Sequence, residues 1–108
     1  MIELLYSKDC PNFEPTLSLL QEIVSGNHFN AAITVTEVSS QADAVAHRFL
    51  GSPSIRVNNN DIEDADSSAA EYSLRCRRYR VGDKIVGVPP RELIEAALRR
   101  DLTEGSTE

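Results

Sequence analysis

The residues best suited to chemistry are two thiols, Cys10 and Cys76. Cys10 stands in "LLYSKDCPNFEPTLSLLQEI", where an apolar run, Ile2 to Tyr6, ends and a helical pattern begins. A helix start leaves backbone N–H groups unpaired and carries the positive end of the helix dipole. Both stabilise an anion, and so lower a thiol pKa from its free value of ~8.5. The thiolate is the nucleophile in sulfur exchange. Lys8 adds to that effect and Asp9 opposes it. The position fits a reactive thiol; the plainer reading is a small residue filling a turn. Cys76, in "SLRCRRYR", has three readings. It resolves an oxidised Cys10 by a disulfide. It pairs with Cys10 to hold a soft ion such as mercury or Cu(I). Or it is a buried edge-strand residue beside Leu74.

Charge adds a second candidate. Five acids and no base lie between Asn58 and Leu74, and then Arg75, Arg77, Arg78 and Arg80 follow. One reading is a solvated acidic loop beside a basic edge strand. The other is an anion site near Cys76. Alternation along a strand puts Arg78 on the face of Leu74 and Cys76, and Arg75, Arg77 and Tyr79 on the opposite face. Arg78 is therefore the candidate anion ligand. Tyr79 reads as packing. His28 falls at a turn and His47 on a polar helix face, which does not assemble a metal site.

Size and composition bound the rest. A chain of 108 residues is one domain with a modest core. Hydrophobic residues make up 41% and charged residues 26%, as in ordinary globular proteins. No apolar run approaches the ~20 residues of a membrane span. The chain opens on a strand-like segment with no basic leader, so a cytoplasmic protein is expected. Two cysteines are too few for a disulfide framework. A net charge of -6 argues against nucleic acid as a partner.

The elements that must position these residues follow from periodicity. Ile2 to Tyr6 reads as a buried strand. Pro11 to about Val24 reads as a helix, with Phe13, Leu17, Leu20 and Val24 on one stripe and Leu19 and Ile23 widening it. Pro11 fits its first position, which places Cys10 at or beside the N-cap. Pro15 lies in the early turns and is a potential kink. Gly26 is the stop. Ala32 to Val38 is a second strand, covered on both sides. Ser39 or Ser40 caps a helix to about Leu50, with Ala42, Val45, Ala46 and Phe49 inward, and Gly51 closes it. Ser54 to Val57 is a third strand, followed by an Asn58-Asn59-Asn60 turn. An acidic loop runs to about Ala70. Tyr72 to Val81 is an edge strand antiparallel to its predecessor, and Gly82-Asp83 is a turn. Pro89-Pro90 opens a last helix, Arg91 to Arg100, with Leu93, Ile94, Ala97 and Leu98 inward. The order is β-α-β-α-β-β-α, an α/β fold. Residues 1–100 form the domain, and 101–108 are expected to be a disordered tail.

These landmarks resemble the thioredoxin-like superfamily. The strand ending in "DCPNFEP" looks like the family's active-site cysteine at a helix start. "AVAHRFLGSPSIRV" is similar to its helix, turn, proline and strand, and "KIVGVPPRELIEAAL" to its closing turn and helix. The likeness spans Ile2 to Leu98. With "SLRCRRYR" the pattern also looks like small bacterial thioredoxin-like proteins, some labelled as related to alkylmercury lyase.

The resemblance implies a four-stranded mixed sheet in order 2-1-3-4 with the last strand antiparallel. It implies a cis bond at Pro53, with the Ser52 backbone facing Cys10 and pairing with a bound thiol substrate. Substrate-binding roles then fall to Ser52 and Pro53, beside Arg78 from the alternation above. It implies a thiol or disulfide substrate, protein or glutathione, and no cofactor.

The departure from the family is Phe13, which stands where Cys-x-x-Cys proteins have their second cysteine. A dithiol relay is excluded and a monothiol mechanism at Cys10, as in monothiol glutaredoxins, is expected. Two alternatives stand beside it. One is a degenerate thioredoxin-like binding module without catalysis. The other is a soft-metal or organomercury thiol site using Cys10 and Cys76.

Overall fold

The computed structural model describes residues 2–8, 10–26, 31–62 and 78–106. Asp9, His28, Arg75, Cys76 and Arg77, and the acidic stretch from Glu63, lie outside the described residues. The elements run β1 (Ile2–Ser7), α1 (Phe13–Gly26), β2 (Ile33–Val38), α2 (Gln41–Ala46), β3 (Ser54–Val57), β4 (Asn60–Asp61), β5 (Tyr79–Val81), β6 (Lys84–Val86) and α3 (Arg91–Ser106). The first four strands form one mixed sheet in order β2-β1-β3-β4. β1 pairs parallel with β2 and antiparallel with β3, Ile2 facing Ile33 on one side and Val57 on the other. The α/β class, the sheet order and the antiparallel last strand match the expectation.

Alternation along β1 splits the core in two. Directly paired residues share a face, so Ile2 and Leu4 lie with Val57 and Ile55. Leu20 and Ile23 of α1, and Ile94, Ala97 and Leu98 of α3, pack against that face with Tyr79 and Ile62. Leu5 points to the other face, where it meets Val38, Ala44 and Phe49. Helices thus cover both sides of β1, which is why this strand reads as an apolar run rather than an alternation.

Five features differ from the sequence reading, each for a local reason. The fourth strand of the sheet is Asn60–Asp61, not the segment ending at Val81. Asn58 and Asn59 both hold positive φ, 52° and 72°, and make a two-residue hairpin turn that returns the chain at once. Tyr79–Val81 instead pairs with Lys84–Val86 across Gly82-Asp83, a strand the sequence reading had not assigned. Gly82 supplies the positive φ of that turn, and a short loop costs little closure entropy. β2 is an edge strand whose described pairing is with β1, so Thr34, Val35 and Glu37 are exposed rather than covered. α3 continues to Ser106, past the expected end at Arg100, because no proline interrupts it and the first glycine is Gly105.

The fifth concerns α2. Ser40 caps its start as expected, its hydroxyl accepting from the Asp43 amide at 3.0 Å. The helix stops at Ala46 rather than near Leu50. Arg48 takes a left-handed φ of 53°, and the amides of Arg48 and Phe49 return to the carbonyls of Val45 and Ala44. That is the Schellman pattern, with a non-glycine in the left-handed position. The Arg56 guanidinium offsets part of this cost by donating to the carbonyls of His47 and Arg48. Ala44 and Phe49 turn inward, whereas Ala42, Val45 and Ala46 are exposed.

Two substitutions test this end of α2. Arg56→Ala should cost about 2 kcal/mol, since it leaves two helix-end carbonyls without their charged donor. Arg48→Gly should raise stability by about 0.5–1 kcal/mol, because glycine adopts a positive φ without a Cβ clash. Urea denaturation of each variant reads both signs.

Candidate functional site

β1 delivers the chain to the site and α1 leads it away. Between them lie two tight turns. The Cys10 amide donates to the Ser7 carbonyl at 3.2 Å, and the Cys10 carbonyl accepts from the Phe13 amide at 3.3 Å. The first α-helical bond follows, from the Thr16 amide to the Asn12 carbonyl at 3.2 Å, and the Thr16 hydroxyl donates to the same oxygen. Asn12 is therefore the N-cap, and Cys10 lies two residues upstream instead of at or beside it. Pro15 is the physical reason. A helix begun at Pro11 would require a donor from Pro15, which has none, and would press its ring on the Pro11 carbonyl. Starting at Phe13 puts Pro15 in the first turn, where no donor is needed and no kink is forced.

Cys10 is half-buried. It opens on a cleft of about 480 Å³ lined, among the described residues, by Tyr6, Cys10, Pro11, Phe13, Glu14 and Pro15. The rings of Tyr6 and Phe13 stack with centroids 3.9 Å apart and planes 19° from parallel. Phe13 packs on the main core, as its place on the apolar stripe implies, and also lines the cleft at the thiol.

Ser52 and Pro53 reach the site through Ser7. The Ser7 amide donates to the Ser52 hydroxyl at 3.0 Å, while the carbonyl of the same residue receives Cys10. The Ser52–Pro53 bond is cis. Tyr79, fully buried, donates its hydroxyl to the Pro53 carbonyl at 2.6 Å, so it is more than packing. The Ser54 hydroxyl donates to the Gly51 carbonyl. Ser52 and Pro53 are themselves buried and do not line the cleft. Arg78 is exposed and does not line it either. The structure therefore holds Ser52 and Pro53 beneath the thiol turn and leaves Arg78 away from the cleft. His47 serves as the C-cap of α2. Among the described residues no group of three or more His, Cys, Asp or Glu side chains could hold a metal ion.

Tyr6 and Glu14 are cleft residues that the sequence reading had not singled out. Their signal was present: an aromatic four residues before the cysteine, another three residues after it, and an acid beside the second. Gly87 is also part of the arrangement. A Cβ there would overlap the Asn12 side-chain amide, so the chain leaving β6 runs directly against the α1 cap.

Comparison with protein-family models, with curated proteins and with solved structures finds no match. Among the described residues no helix is long and apolar enough to cross a membrane.

The Gly87 contact can be measured. Gly87→Ala should cost about 1–2 kcal/mol, because the added methyl must displace Asn12 at the start of α1. In an Asn12→Ala background the obstacle is gone, and most of the penalty should disappear. A double-mutant cycle in urea should show a coupling of about 1 kcal/mol.

Proposed function

We propose that this chain is a thioredoxin-like protein that performs thiol–disulfide exchange at Cys10 with a single cysteine at the active turn, acting in the cytoplasm. The observation that carries the reading is the placement of Cys10. It sits at the end of the central strand, in a turn leading into a long helix, and opens on a cleft. The sheet order and the helices on both faces are compatible with that fold. The substrate is a disulfide, of a protein or of a small thiol such as glutathione.

The step balances without a cofactor. The Cys10 thiolate attacks one sulfur of R–S–S–R′. The S–S bond breaks, Cys10–S–S–R forms, and R′–S⁻ leaves and takes a proton. Nothing at position 13 can release the adduct, since Phe13 has no thiol. Release requires an external thiol, or Cys76. Ser52, Pro53 and Tyr79 position the turn rather than touch the substrate. The burial of Ser52 favours a second reading, because a covered backbone offers no strand-like edge to a substrate. In that reading the chain binds a partner without chemistry.

Three measurements separate the readings. The natural protein should show no insulin reduction above the uncatalysed rate in a coupled assay. A Cys76→Ser variant should accumulate a persistent mixed disulfide at Cys10 with oxidised glutathione, seen by mass spectrometry. Phe13→Cys should restore a dithiol and raise exchange, since the Cys10 carbonyl and the residue 13 amide already close the turn between them. Fast turnover by the natural protein refutes the monothiol mechanism. A Cys10 that stays inert even in Phe13→Cys leaves the binding module.

A further inference from the structure

The walls of the Cys10 cleft have a chemical bias. Tyr6, Pro11, Phe13 and Pro15 are apolar or aromatic, and the stacked pair gives one wall a flat face. Among the described lining residues the charged one is Glu14. Glu14 is exposed, next in sequence to Phe13 and in the first turn of α1. Arg78 does not line the cleft, so the described walls bring no cation to meet an anionic ligand. The whole chain carries -6, which adds a long-range field of the same sign.

Given the exchange reading above, on which this rests, we infer that Cys10 selects disulfides bearing positive charge on a short apolar stem, and that Glu14 sets this preference. Oxidised glutathione carries four carboxylates and two ammonium groups, so its approach meets repulsion from Glu14. Cystamine carries two ammonium groups and no carboxylate. Its stem is two methylenes, which suit the apolar walls. In the reaction the Cys10 thiolate attacks one cystamine sulfur. A mixed disulfide with cysteamine forms, and cysteamine thiolate leaves and is protonated. In a protein substrate the equivalent is a disulfide flanked by lysine or arginine and by small apolar residues.

The test uses the full chain with cystamine and with oxidised glutathione. Adducts are mapped to Cys10 by peptide mass spectrometry. Each rate is divided by the rate of the same disulfide with 2-mercaptoethanol, which removes intrinsic reactivity. The normalised rate for cystamine should exceed that for oxidised glutathione by about fivefold or more at low salt, the scale of a single charge pair at a wet surface. Glu14→Gln should cut that ratio at least about twofold and Glu14→Lys should cut it further. Glu37→Gln, an exposed acid on β2, should lower it much less, through net charge alone. Equal normalised rates overturn the inference. So does a preference that Glu14→Gln and Glu37→Gln reduce alike, which would assign it to net charge alone. Absence of any adduct with either disulfide, where iodoacetamide still labels Cys10, overturns instead the exchange reading beneath it.

Discussion

The peptide groups of Ser7 tie the Cys10 turn to the Ser52–Pro53 segment. Its amide donates to the Ser52 hydroxyl and its carbonyl receives the Cys10 amide. Ser52 is fully buried, so this hydrogen bond is made in a setting where an unmet donor would be costly. β1 cannot shift along β3 without breaking it, and the thiol turn cannot leave the strand without losing the other bond. The Pro53 carbonyl is held in turn by Tyr79, which brings β5 into the same arrangement. The site is consequently built on the central strand and on buried polar contacts, and only its outer wall consists of α1 side chains.

What the sequence disclosed about the fold was its apolar periodicity. β1, α1, β3 and the inward face of α3 could be read because Ile2, Leu4, Leu20, Ile23, Ile55, Ile94 and Leu98 recur at the spacing their elements require. What it concealed was backbone conformation at residues that are not glycine. Arg48, Asn58 and Asn59 all hold positive φ, and these positions decided where α2 ended and where the fourth strand began. Asparagine tolerates that region, so the Asn58-Asn59 pair carried a hairpin signal that a general turn reading did not use. Arg48 carried none. Its conformation depends on Arg56, eight residues on, and a long-range donor of that kind leaves no local mark.

The site was legible to a similar depth. Cys10 was singled out by its place at a strand end before a helix together with the family resemblance, Phe13 as the departure from Cys-x-x-Cys, and Pro53 from its resemblance to a family landmark. The start of α1 was misplaced because Pro11 is acceptable as a first helical residue when taken alone. It becomes unacceptable only when Pro15, four residues later, is considered with it. Ser52 was assigned a backbone role toward a substrate; in the structure it is buried, and its hydroxyl accepts from the Ser7 amide. Arg78 was assigned by alternation along a strand expected from Tyr72 to Val81. In the structure it is exposed and precedes β5, and Leu74 and Cys76, whose face it was to share, lie outside the described residues.

The two faces of the sheet are unequally insulated from water. One carries α1, α3 and the main cluster of buried side chains; the other carries α2 and a cluster of Leu5, Val38, Ala44 and Phe49. At ~1.5–3 kcal/mol for each large buried apolar side chain, the smaller cluster holds its helix far less firmly. α2 has six residues, a length that is not self-sustaining in water. Opening of this face is therefore a sub-global event of lower free energy than global unfolding. Amide protons of α2 would exchange with solvent ahead of those in β1 and α1, and Leu5, on the strand that ends in Ser7, would be wetted before the rest of the core. The strand that leads to the Cys10 turn is thus tied, among the described residues, at one face to the larger buried cluster and at the other to the smaller one, which opens more readily.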